Sequence, residues 1–178
     1  MNSPSLTASA GIVAGCLEAC TRCERIARAL SPEQYRCKWN DHQGAGPHMR
    51  HCVDHFLSLQ RDLASGTINY DRRDRDPKIE EDPKALLEVL AGIYAWLESL
   101  NDTELDQPIA VRQIPTVDSE AVEVDSTLAR ELLFLASHTI HHITIMNLVA
   151  EGIGVRLPQE LGMAYSTLAH MKSQAQQA

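Results

Sequence analysis

The most constraining feature of the chain is an apolar, helix-length stretch at residues 131–147, which carries three histidines in its middle. In a helix, residues four apart lie on one face, so His138 and His142 can direct their rings to one point. One rigid helix can supply two nitrogen ligands to a divalent metal in this way. His141 is rotated by roughly 100° from His142 around the helix axis and faces elsewhere. On this pair alone, a buried helix with hydrogen-bonded histidines is the favoured interpretation. A third ligand elsewhere in the chain would favour a metal site instead.

Composition limits the class of protein. A length of 178 residues suits one domain, and an aromatic content of only 4 % favours a core of aliphatic side chains between packed helices. A net charge of −8 argues against nucleic-acid binding, which needs clustered Lys and Arg. The chain has no apolar run of about 20 residues and no basic, apolar leader, so we expect no membrane association. Five cysteines fit reduced thiols, and we expect a cytoplasmic protein.

Hydrophobic periodicity predicts four long amphipathic helices, at about residues 9–30, 46–64, 82–100 and 125–151. Proline and cap residues mark the helix starts, and the strand-like alternation between residues 101 and 125 predicts a short β-hairpin or extended arm. The predicted fold is all-α, an up-down four-helix bundle with that arm before the last long helix. We expect a disordered N-terminus at residues 1–8, the bundle at 9–170 and a flexible C-terminus at 171–178. A homodimer is expected from the frequency of such assemblies.

The second predicted helix offers a third ligand, because it begins with His48, His51 and His55 at steps of three and four. Six of the eight histidines therefore lie on two helices. Three neutral imidazoles without a carboxylate leave a metal its full charge and an open position, as in catalytic sites. The competing interpretation treats these rings as surface or capping groups. It is weakened because unpaired polar rings are unfavourable in apolar helices.

Three motifs in this order resemble the DinB/YfiT-like superfamily of metal-binding four-helix bundles, in particular a bacterial DinB-like branch. They are G-P-H-M-R-H-C-V-D-H-F, I-N-Y-D-R-R-D-R-D with a later I-E, and E-L-L-F-L-A-S-H-T-I-H-H-I. The resemblance covers residues 10–168. By position it implies the metal ligands His51, His138 and His142, with His48 as an alternative early ligand. His55 and His141 then take supporting roles, and Glu131 lies on a face from which it can orient a ligand.

The resemblance implies a metal site but does not by itself identify the reaction. Characterised members of the superfamily are thiol-dependent enzymes, such as bacillithiol transferases and mycothiol-dependent maleylpyruvate isomerase, in which the metal activates a thiol. It therefore implies a divalent transition metal (Zn, Ni or Fe), a low-molecular-weight thiol and an electrophile as substrates, and S-transfer as the activity. The alternatives are a metal-dependent hydrolase, a metal-binding or stress-associated bundle without turnover, and a structural dimer whose histidines only pack.

Two further motifs have competing interpretations. Cys16, Cys20 and Cys23 share one face of the first helix, either as a soft-metal or redox site or, as we favour, as small buried hydrophobic groups. The charge-alternating loop after Tyr70 is expected to be a solvated, salt-bridged crossover. Its functional alternative is that Arg72 or Arg75 reaches an anionic substrate group beside the metal.

Overall fold

The computed structural model describes residues 8–177, and this part of the chain is mainly helical. Its four long helices are α1 (Ala8–Ala29), α3 (Ala45–Asp62), α5 (Pro83–Ser99) and α7 (Leu128–Gly152). The short helices are α2 (Pro32–Arg36), α4 (Pro77–Glu81), α6 (Asp102–Leu105) and α8 (Tyr165–Ala175). Two 3-10 turns, Leu63–Ser65 and Gln159–Gly162, follow α3 and precede α8. The four predicted long helices are all present.

Local capping explains where several helices begin. Ser31 and Gln34 form the predicted capping box of α2, in which each side chain binds the other's backbone N–H. Asp82 accepts a hydrogen bond from the Lys84 backbone N–H at the start of α5. Thr127 caps α7 in the same way by accepting from the Arg130 N–H. These caps satisfy backbone groups that have no partner within the helix.

The four long helices pack around one core. α1 and α3 each contact both α5 and α7. The buried side chains are mostly Leu, Ile, Ala and Cys, and Tyr35 and Phe56 are the largest fully buried ones. Each helix therefore buries one apolar stripe against two neighbours, which is the arrangement that the 3.6-residue periodicity predicts.

A small three-stranded sheet lies beside the helices, so the fold is mainly α and contains one more strand than the predicted hairpin arm. Its strands are β1 (Thr67–Asn69), β2 (Pro108–Gln113) and β3 (Val122–Thr127), in the order β1-β2-β3. The antiparallel β2–β3 pair is the β-hairpin predicted before the last long helix. The parallel β1–β2 pair was missed, since three residues are too few to show a two-residue period.

The ends of the chain and the apolar α7 also bear on the predictions. The predicted disordered N-terminus lies outside the described residues except for Ala8, the first residue of α1. At the other end, α8 continues to Ala175, so part of the segment predicted as flexible is helical. By length and composition alone α7 could cross a membrane, and within the described residues it packs against α1 and α3.

Candidate metal centre

The histidines of α3 and α7 face one another because these two helices are packed together. Along α3 the rings of His48 and His51 are half-buried and that of His55 is buried, and along α7 those of His138 and His142 are half-buried. The five rings form one continuous cluster through ring contacts with centroid separations of 4.4 to 5.2 Å. The sequence placed these residues on two helices, and the tertiary structure brings the two sets together.

The centre of the cluster is a contact between His51 and His138, whose Nε2 atoms lie 2.8 Å apart. His51, His55 and His138 form a group whose ligand atoms all lie within 4.8 Å of one another. In a tetrahedral site with metal–nitrogen bonds of about 2.0–2.1 Å, two ligand nitrogens are about 3.3–3.4 Å apart. Small ring movements would bring the three nitrogens to that spacing, so this group can hold a metal ion.

The ring of His55 is oriented for a ligand role. Its Nδ1 is 2.7 Å from the backbone carbonyl oxygen of His51, one turn earlier on α3. A carbonyl only accepts hydrogen bonds, so Nδ1 carries the proton and Nε2 keeps its lone pair. A hydrogen bond from the other ring nitrogen is typical of histidines that bind metals. The family resemblance implied a supporting role for His55, whereas the structure places it within the three-histidine group.

The predicted ligand His142 also borders the central pair. Its ring centroid lies 4.4 Å from that of His51 and 4.6 Å from that of His138. Its Nδ1 lies 2.9 Å from Nδ1 of His48, the alternative early ligand. His142 is thus within reach of the pair, and its assignment as the third ligand remains a prediction.

His141 and Glu131 lie outside the cluster of five rings. The His141 side chain is exposed and contacts only the edge of His142 among these rings, with centroids 5.4 Å apart. The buried carboxylate of Glu131 accepts hydrogen bonds from the Tyr70 hydroxyl at 2.9 Å and from Ser126 Oγ at 2.6 Å. Tyr70 in turn packs on His55 with a centroid distance of 5.4 Å. Glu131 therefore supports the site through Tyr70 and binds no ring nitrogen itself.

The protonation state of the cluster favours metal binding. Burial, followed by the neighbouring histidines, lowers the pKa of His51 to about 2, that of His142 to about 3 and that of His138 to about 4. Burial also lowers the pKa of His48 and His55. The rings are therefore neutral at physiological pH, the state in which an imidazole nitrogen can bind a metal.

Sequence analysis missed the arginine at this centre. Nη1 of Arg73 lies 2.7 Å from Nδ1 of His51, whereas the functional alternative considered for this loop named Arg72 or Arg75. Arg72 instead pairs with Asp62 at 3.5 Å, and the exposed Arg75 has a positive φ of 54°. Only the course of the loop decides which of three closely spaced arginines faces the histidines, and no sequence period reports that.

A cavity of about 270 Å³ lies between the sheet and α7, and none of the clustered histidines lines it. Tyr70 and Phe134 line it, and these rings also contact His55 and His138, with centroids 5.4 and 5.3 Å apart. Its size is slightly below the range of about 300–1,000 Å³ for common ligand pockets, so it suits a small molecule.

The cysteines of α1 behave as packing groups. Cys16, Cys20 and Cys23 are all buried, and Cys16 donates a hydrogen bond from Sγ to the Leu132 carbonyl oxygen at 3.2 Å. Burial raises the pKa of Cys16 to about 12 and also raises that of Cys20. A hydrogen bond between the Cys23 thiol, as donor, and Cys52, together with burial, raises the pKa of Cys23. Thiols that ionise this poorly are weak nucleophiles and metal ligands, which supports the packing interpretation.

Comparison with known proteins finds a relative that matches most of this chain. A protein named FK506-binding protein 5, from Rhizopus delemar, is 32 % identical to this chain over 126 residues. The match covers 68 % of this chain and 33 % of that protein, so the chain spans about a third of its relative's length. No known family profile matches the chain, and no solved structure matches it.

Proposed function

We propose that the protein is a DinB-type four-helix bundle that binds a divalent transition metal between α3 and α7. The observation that carries the proposal is the three-histidine group of His51, His55 and His138, with two Nε2 atoms 2.8 Å apart. The closed ring of contacts among the four long helices supports the bundle assignment, as does the order of the three motifs.

The donor set fits a borderline transition metal. Neutral imidazole nitrogens suit zinc, nickel and iron, whereas calcium and magnesium prefer oxygen ligands. A divalent metal held by three imidazoles would act as a Lewis acid and lower the pKa of a bound water or thiol. The chain's own residues orient the rings: the carbonyl of His51 fixes the ring of His55, and Phe134 stacks on His138.

The proposed activity is metal-dependent S-transfer from a small thiol to an electrophile. The half-buried rings of His51 and His138 leave the site accessible from solvent, as a small substrate requires. The thiol itself is assigned from the superfamily resemblance alone. FK506 binding, which the name of the relative records, is not proposed for this chain because the match covers only a third of that protein.

The metal proposal is tested by elemental analysis of protein purified without a histidine tag. We expect one zinc, nickel or iron per chain, and loss of that metal in His138→Ala. A metal-free wild-type protein that takes up none of these ions on dialysis would contradict the site and support the packing interpretation.

The third ligand is tested separately, because the geometry favours His55 and the resemblance favours His142. Chelator competition on His55→Ala and His142→Ala compares the two directly, and the true ligand gives the larger loss of affinity. S-transfer is then assayed with a panel of small thiols and electrophiles. Stoichiometric metal without turnover would favour the alternative of a non-catalytic metal-binding protein.

A further inference from the structure

The Arg73 side chain carries a charge that its surroundings do not balance. It is half-buried, its Nη1 contacts His51 Nδ1 at 2.7 Å, and its buried Nε has no hydrogen-bond partner. Within residues 8–177, no carboxylate oxygen lies within 4.0 Å of this guanidinium. Asp54, a buried acid on α3, acts on it only at longer range. A partly buried charge without an opposite charge beside it is unfavourable. The Arg73 guanidinium can therefore accept an anionic partner.

The contact with His51 assigns the proton of that ring. A guanidinium can only donate, so Nδ1 of His51 is the acceptor and the proton of the neutral ring lies on Nε2, facing His138. If Nε2 binds a metal, the proton of the neutral ring moves to Nδ1. Two donors then face each other at the Arg73 contact, and that hydrogen bond is lost.

Metal binding at His51 therefore frees the Arg73 guanidinium next to the metal. A divalent ion among neutral imidazoles would add two positive charges to that of Arg73. The acids Asp54 and Asp71 act on Arg73 at longer range, but so do the further cations Arg50 and Arg75. The loaded site has an excess of positive charge in a partly buried position, which favours an anionic ligand. A planar guanidinium fork matches a carboxylate with two parallel hydrogen bonds.

We propose that Arg73 is the anion-recognition residue of this centre, and that the substrate is a small carboxylate-bearing molecule. The proposal rests on the proposed metal site and adds its substrate class. Arg73 hydrogen-bonds to His51 in the metal-free protein and binds the substrate carboxylate when the metal is present.

The test uses Co²⁺-loaded protein and two matched thiols, mercaptoacetate and the neutral 2-mercaptoethanol, titrated by visible absorption. We expect wild-type protein to bind mercaptoacetate at least about tenfold more tightly, since a charge-assisted hydrogen bond contributes at that level. Arg73→Met should abolish the preference, and Arg73→Lys should keep only part of it because an ammonium lacks the planar fork. Arg72→Met, on the exposed side of the same loop, should keep all of it.

A second readout is the affinity for Co²⁺ without any thiol. Arg73→Met should raise it, because the hydrogen bond that competes for the His51 ring is gone. Normal Co²⁺ uptake without a preference for mercaptoacetate, or a preference that survives in Arg73→Met, would overturn the role of Arg73 and leave the metal site standing. Failure of the wild-type protein to take up Co²⁺ would overturn the metal site, and the role of Arg73 with it.

Discussion

Replacing His138 by alanine tests the centre of the site most directly, because its Nε2 lies 2.8 Å from that of His51. Loss of a partner that merely orients a metal ligand weakens metal binding about 10–100-fold, so loss of a ligand itself should weaken it at least about 100-fold. At a metal concentration of about 100 times the wild-type Kd, bound metal stabilises the folded protein by about 2.7 kcal/mol. For a chain of this size that raises Tm by about 5–10 °C.

The same metal concentration only equals the Kd of the His138→Ala variant. The stabilisation then falls to about 0.4 kcal/mol, and the metal-induced rise in Tm to about 1–2 °C. The measurement is differential scanning fluorimetry of metal-free protein with and without added Zn²⁺. Comparing the metal-induced rise within each variant removes the effect of the cavity that the truncation leaves.

His141→Ala is the matched control, because it removes the same side chain from an exposed position on the same helix. It should retain the full metal-induced rise in Tm. A His138→Ala variant that also retains the full rise would show that the metal binds elsewhere, and an equal loss in both variants would show a general effect on α7.

Three further predictions concern stability. Since the pKa of His138 falls from 6.5 to about 4 on folding, the unfolded chain binds more protons in this interval, and the metal-free protein should lose stability as the pH falls through it. The urea midpoint should depend less steeply on pH in His138→Gln than in the wild-type protein, and an equal pH dependence in both would contradict this assignment. Gly46→Ala should lower Tm because the added Cβ would overlap the backbone of Glu80. Gly92→Ala, in an exposed helical position with open space, should instead raise the free energy of unfolding by about 0.5–1 kcal/mol. Equal Tm changes in the two glycine variants would contradict this packing argument.

The sequence alone determined the main elements of the fold. Apolar residues at three- and four-residue steps predicted the four long helices, and alternation predicted the β2–β3 hairpin. These features are local, because periodicity follows directly from backbone geometry and caps follow from unpaired N–H groups. The same local reasoning predicted that His51 and His138 lie on helix faces that could supply ligands.

Only the tertiary structure decided which side chains meet. His55 and His142 both border the central pair, and the choice of contacts depends on how α3 and α7 are rotated and shifted against each other. Arg73 reaches His51 because of the path of an irregular loop, and the pairing of β1 with β2 joins residues far apart in the chain. Helical periodicity fixes the face on which a residue lies, whereas contacts between elements depend on packing of the whole core, which no single segment encodes.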